Sequence, residues 1–222
     1  MNLAPLFTFA AQSNPAGGAI LSEILADTGV VEVGPTADVY FYWYELDVKL
    51  RKQILGGFLI PWVQVGWEPG WFIPASDPTG ERTWSPHLIG RAGLVMNLRN
   101  DKWWLYEKVV GTTRDRRMRE WDPYKAAELG DELSVRNDLA LMYAVSRQDE
   151  RVWWVYAELT VEAEREWGWL QKQPRVGLLV EEIAPHLSVD LDLNWSLMDT
   201  AIGGPGVLGV VWWAPPINGK RP

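Results

Sequence analysis

The chain has 222 residues, no cysteine and a formal net charge of −8, from 21 Lys and Arg against 29 Asp and Glu. A disulfide framework and cysteine-based metal or nucleophile sites are therefore excluded, and the acidic balance argues against a nucleic-acid partner. Fifteen tryptophans exceed what a water-soluble core of this size needs, and Trp collects at membrane interfaces and on sugar-binding platforms.

No run approaches the ~18 uninterrupted apolar residues of a membrane-spanning helix. A barrel is untouched by that test, because its strands alternate and give a weaker hydropathy signal. Residues 1–11 lack the basic stretch of a secretory signal, so export implies that a signal has been removed.

A first strand is expected near 4–12. The segment that follows carries a helix signature: Asn14-Pro15 opens it, Ile20, Leu21, Ile24 and Leu25 share one helical face, and Gly29 closes it. From residue 37 the period becomes two. Tyr40, Tyr42, Tyr44, Leu46, Val48 and Leu50 share a face over 37–51, opposite Glu45, Asp47, Lys49 and Arg51. A strand over 54–67 is interrupted by Pro61, which suits a bulge or an edge.

Two related hairpins follow. Strands near 89–99 and 102–111 flank a polar turn, and strands near 132–147 and 151–163 flank another. Each has an apolar run with Leu and Met, a charged turn, then Trp-Trp-x-Tyr (Trp103 to Tyr106, Trp153 to Tyr156), which suggests one unit used twice. Glu107 beside Lys108 leaves the strand at 102–111 clean on neither face, and Asn137 breaks the apolar face from Leu133 to Val145. Asp122-Pro123 to Gly130, between the hairpins, repeats the helix signature.

Strands near 174–183, 187–198 and 206–214 complete the set. The clearest alternation runs from Leu187 to Leu197, with Ser188, Asp190, Asp192, Asn194 and Ser196 on the other face. Its length suits a tilted strand crossing a bilayer. Connections alternate between short ones (52–53, 100–101, 148–150, 184–186) and long ones (13–36, 68–88, 112–131, 164–173, 199–205). Laid antiparallel, the strands place Trp103-Trp104, Trp153-Trp154 and Trp212-Trp213 at the short-turn rim. Tyr40, Tyr42, Trp67, Trp71, Trp167, Trp169 and Trp195 fall near the other rim. The two aromatic girdles of a membrane barrel would give this pattern.

Over residues 37–214 the pattern resembles bacterial outer-membrane β-barrel proteins as a class. The resemblance lies in alternation, loop lengths and aromatic placement rather than in a motif. It implies export to an outer membrane with the lipid bilayer as partner. The expected fold is all-β: one domain over 1–222, an up-and-down antiparallel barrel of about ten strands, with short helices in residues 1–36 and in one long loop; eight or twelve strands also fit. The competing reading is a soluble Trp-rich barrel or sandwich that binds a ligand such as a carbohydrate, its leucine faces turned to a core.

The search for chemistry returns little. His87 lies near Ser85 and Glu81, but no nucleophile context surrounds them, and His186 falls in a short turn. Asp190-Leu191-Asp192-Leu193-Asn194 opens like a calcium loop, yet Trp195 replaces the glycine and Ala201 the final glutamate. No cofactor or metal is expected, and binding or transport is favoured over catalysis. The candidate site is the lumen, lined by Glu45, Asp47, Lys49, Arg136, Asp138, Glu158, Asp190 and Asp192. It would form a narrow channel for small solutes, or a plugged barrel whose long loops bind protein partners.

Overall fold

The computed structural model describes residues 2–13, 16–40, 44–72, 83–115, 131–164, 170–195, 197–198, 201–202 and 206–214. The first four strands are β1 (Asn2–Ser13), β2 (Ala16–Asp27), β3 (Glu32–Tyr40) and β4 (Tyr44–Arg51). Next come β5 (Leu59–Phe72), β6 (Thr83–Arg99), β7 (Trp103–Asp115), β8 (Asp131–Gln148) and β9 (Arg151–Glu164). The last are β10 (Leu170–Ala184), β11 (Leu187–Asn194), the two-residue β12 (Leu197–Met198) and β13 (Ala201–Ile202), and β14 (Gly206–Trp213).

From β1 to β11 each strand pairs antiparallel with the next, and β14 pairs with both β11 and β1. The ring is closed by twelve strands, to which the small β12–β13 pair adds none. Closure removes the exposed edges of an open sheet and gives its ladder groups partners without water.

Burial is inverted relative to a water-soluble protein. Thr36, Glu45, Asp47, Gln64, Ser134, Asp138, Thr160, Asp192 and Asn194 are buried, while their aliphatic neighbours along the same strands are exposed. Val48 on β4 is 59% exposed and Val65 on β5 is 63% exposed, against 1% for Glu45. A soluble barrel would turn these aliphatics inward, and this chain turns them out. The outward face is chemically that of a protein solvated by hydrocarbon.

At the short-turn rim this belt ends in aromatics. Trp103 packs on Tyr143 across β7 and β8 with ring centroids 4.7 Å apart, and Phe7 stacks on Trp213 across β1 and β14 at 5.8 Å. Trp153 is exposed beside them on β9. Only one member of each Trp-Trp pair can face outward, because successive side chains take opposite faces. Trp104, Trp154 and Trp212 therefore point into the barrel and pack with Tyr106, Ala140, Met142, Val152, Tyr156 and Leu179. Of each Trp-Trp pair expected at this rim, one indole joins the outer girdle and the other fills the lumen.

Three further expectations need correction. The ring has twelve strands rather than about ten. The expected N-terminal helix is strand β2: Ile20 and Ile24 are exposed outward, while Leu21 lines the lumen and Leu25 is fully buried. Apolar residues on both faces of a strand blur alternation and imitate helical spacing. The single strand expected at 37–51 is the end of β3 plus β4, their partners running from Val39↔Tyr44 to Glu32↔Arg51. The second expected helix, at 122–130, lies outside the described residues.

Pro61 sits within β5, where its carbonyl accepts Lys52 N–H at 3.1 Å, so the closed ladder accommodates it. The turns follow local chemistry. Asn100 Oδ1 accepts the N–H groups of Lys102 and Trp103, both at 2.8 Å, and Gly29 takes a positive φ of 83° with Asp27 Oδ1 on its N–H.

Two glycines seat aromatic rings inside the barrel. A Cβ on Gly93 would lie 2.6 Å from Trp62, and one on Gly177 would lie 2.5 Å from Tyr156, each glycine being its ring's cross-strand partner. Gly177→Val should displace the Tyr156 ring and cost about 1–3 kcal/mol, as overpacking does. The urea midpoint of the refolded barrel measures this, and an unchanged midpoint would show that the ring swings aside freely.

Candidate functional site: the barrel lumen

Each of the eight residues singled out in the sequence falls on the inward side of its strand, and they gather into two groups. In the first, Lys49 on β4 pairs with Glu23 on β2 at 2.5 Å, while Arg91 on β6 reaches Glu45 at 2.6 Å and Asp47 at 3.6 Å. Asp47 also accepts from Gln64, and Arg51 pairs with Glu23 at 2.8 Å and with Glu32. The glycine at 66 makes room for the Asp47 carboxylate, which would collide with any side chain there.

In the second group Arg136 Nε donates to Asp138 at 2.8 Å, and the Thr160 hydroxyl donates to Asp138 at 2.7 Å with Glu158 3.2 Å from the same oxygen. Arg175 on β10 lies 3.5 Å from Glu158. Asp190 and Asp192 on β11 meet at the Tyr156 hydroxyl, 2.9 and 3.4 Å away, and Asn194 donates to Asp192 at 3.1 Å. The two groups do not touch through these bonds. Between them, the strands from β1 to β9 surround a cavity of 690 Å3.

The cavity runs lengthwise. Arg51 and Ile60 line it near the short-turn end, then Trp62, Tyr106 and Lys108, and Thr112, Ser134 and Glu162 farther toward the long-loop end. It has room for roughly twenty waters at ~30 Å3 each. The other side of the lumen is filled at the short-turn end. There Arg99 lies between the rings of Trp104 and Trp154, 4.7 and 4.9 Å from their centroids, and forks onto Glu181 at 2.7 and 2.5 Å. Trp154 Nε1 donates to the same carboxylate at 2.8 Å, and the Trp104 ring meets the Trp154 ring edge-on at 5.8 Å. A charged guanidinium stacked between indoles and bound bidentately to a carboxylate is a strong, well-oriented contact.

Sequence reasoning missed Glu23, Arg91, Arg99, Arg175 and Glu181, which complete these clusters, and Lys108, which lines the cavity apart from them. Lys108 was hidden by its neighbour Glu107, whose charge made the face ambiguous. The structure resolves that ambiguity: Lys108 lines the cavity, whereas Glu107 is on the outer face, where it accepts a hydrogen bond from Asn137 Nδ2 at 3.1 Å. The two apparent breaks in the outward apolar faces are thus partners. His186, in the turn between β10 and β11, donates its backbone N–H to Glu182 at 2.9 Å. The His87 side chain lies outside the described part. Among the described residues no cluster of His, Asp or Glu could hold a metal ion.

The closed up-and-down ring with polar interior and aliphatic exterior defines the class: the fold is that of bacterial outer-membrane β-barrels. No family model matches the chain, and no curated protein matches it. Solved structures do. An outer membrane channel from Pseudomonas putida superposes with a TM-score of 0.58 and 11% identity, covering 96% of this chain and 95% of that one. LpxR from Salmonella typhimurium gives 0.52 at 8% identity, covering 95% and 99%, and the NanC porin gives 0.52 at 7% identity, covering 96% and 100%. At these identities the likeness is one of fold alone.

Proposed function

We propose that the protein is an outer-membrane barrel, exported with a removed signal, whose single domain forms a narrow channel for small solutes. The observation that carries this reading is the 690 Å3 cavity in the lumen, lined from Arg51 and Ile60 to Thr112 and Glu162. The bilayer is implied by the exposed aliphatic belt and its aromatic rim. Glu45, Asp47, Lys49, Arg136, Asp138 and Glu158 form the charged wall beside the path, with Asp190 and Asp192 behind Tyr156. Their pairing holds the wall rigid and sets the local field that a passing ion meets. Twelve strands fit a bore wider than the side-chain-filled eight-stranded barrel and narrower than that of large porins.

The alternative, a plugged barrel presenting its long loops to a protein partner, draws on the packing of Trp104, Trp154 and Arg99. Single-channel recording in planar bilayers separates the two. The wild type should conduct in small, steady steps. Ser134→Trp, which places an indole at the cavity wall, should lower the step size severalfold while leaving the heat-modifiable gel band unchanged. A wild-type protein that inserts and stays silent would remove the channel and leave the plugged barrel.

A further inference from the structure

Most basic side chains that line the cavity are already neutralised. Lys49 and Arg51 are held by Glu23, Arg91 by Glu45, and Arg136 by Asp138. Lys108 is different. Its cross-strand neighbour on β8 is Asp138, but that carboxylate accepts from Arg136 and Thr160 instead. Among the described residues Lys108 makes no ion pair or hydrogen bond, and the charged groups around it include Asp138, Arg136, Lys49 and Arg91, with Glu162 on the same cavity wall. The three cations among them each hold a carboxylate of their own, so Lys108 is the basic group of this cavity wall without a bound counter-ion.

The ring it lies over is Trp62. The Lys108 ammonium lies 5.9 Å from the centroid of that indole and the Lys49 ammonium 5.4 Å. The indole is fixed against Gly93, whose lack of a side chain leaves its seat. Thr112 and Ser134 line the same cavity with hydroxyls. An unneutralised cation, a fixed aromatic surface and hydroxyls in a space of 690 Å3 match a small molecule with one carboxylate and a hydroxylated carbon body. A desolvated ammonium attracts such an anion more strongly than it would in water.

We propose that Lys108 is the anchoring group of a subsite for small hydroxylated organic anions, with Trp62 as its apolar wall. The subsite rests on the channel reading only for solute access from outside. It lies in a chain of net charge −8, so it acts as a local anion station in an otherwise acidic barrel.

The test uses the folded full-length protein in detergent, titrated calorimetrically with potassium gluconate at fixed ionic strength, with glucose as the neutral comparison. Gluconate should bind saturably and glucose should not. Lys108→Met, which keeps the stem against Trp62, should weaken gluconate binding about tenfold or more, and Lys108→Arg should retain it. Equal binding by wild type and Lys108→Met, or no saturable binding by the wild type, would overturn the subsite. Boiled and unboiled gel mobility confirms that each variant is folded. Conductance on the same preparations is read separately. A silent barrel that binds gluconate through Lys108 sinks the channel and keeps the subsite, whereas a conducting barrel indifferent to gluconate does the reverse.

Discussion

Val65→Arg should abolish or strongly slow insertion into lipid vesicles and cost about 2–4 kcal/mol of stability where insertion succeeds, as for cations at the centre of a lipid-facing strand. Val65 is 63% exposed, and its cross-strand neighbours are Val48 on β4 and Gly90 on β6, so no carboxylate stands opposite to rescue the charge. In water the same substitution would be innocuous, because a solvated valine-to-arginine change on a strand rarely exceeds about 0.5 kcal/mol. The contrast makes it a test of the solvent rather than of packing. Urea titration of the vesicle-inserted protein, with Val65→Leu alongside, gives the number. Stability equal to that of the wild type in plain buffer without detergent would refute the membrane assignment.

Trp154→Ala should be the most costly change inside the barrel, about 3–5 kcal/mol. Trp154 has no solvent exposure, its Nε1 donates to Glu181, and it forms one side of the stack around Arg99. Removal leaves a cavity in the inner aromatic cluster and frees one partner of the Arg99–Glu181 fork. A second consequence follows from where the cluster sits. Because it fills the side of the lumen at the short-turn end, its loss should widen the path and raise single-channel conductance as stability falls. A variant that loses stability with unchanged conductance would show that the cluster supports the wall without bounding the path.

Much of the ring was legible in the residues. The alternation of Leu46, Val48 and Leu50 with Glu45, Asp47 and Lys49, and of Leu191 and Leu193 with Asp190 and Asp192, places one set against hydrocarbon and the other inside, because a strand's period of two admits no other division. Charged turns such as Arg99 to Lys102 marked where hairpins reverse. Legibility failed where both faces of a strand are apolar. At β2, Leu21 and Leu25 face inward and Ile20 and Ile24 outward, and the spacing imitated a helix. At the Trp-Trp pairs one indole is needed at the rim and the other in the lumen. Composition cannot say which strand end fills its lumen with aromatics.

What the sequence by itself determined is the local rule: strands of period two, polar turns, and an excess of tryptophan suited to an interface. The tertiary structure decided what that rule serves. Closure by β14 onto β1 and β11 fixed twelve strands and an interior, since the number of members in a ring depends on pairings between residues far apart in the chain. The same closure brought Arg91 to Glu45 across 46 residues and Arg99 to Glu181 across 82, contacts that no local pattern encodes. It also engaged Asp138 with Arg136 and Thr160, leaving Lys108 unneutralised beside Trp62. Which charge stays available in a crowded lumen depends on three-dimensional competition among neighbours, and spacing along the chain carries no record of it.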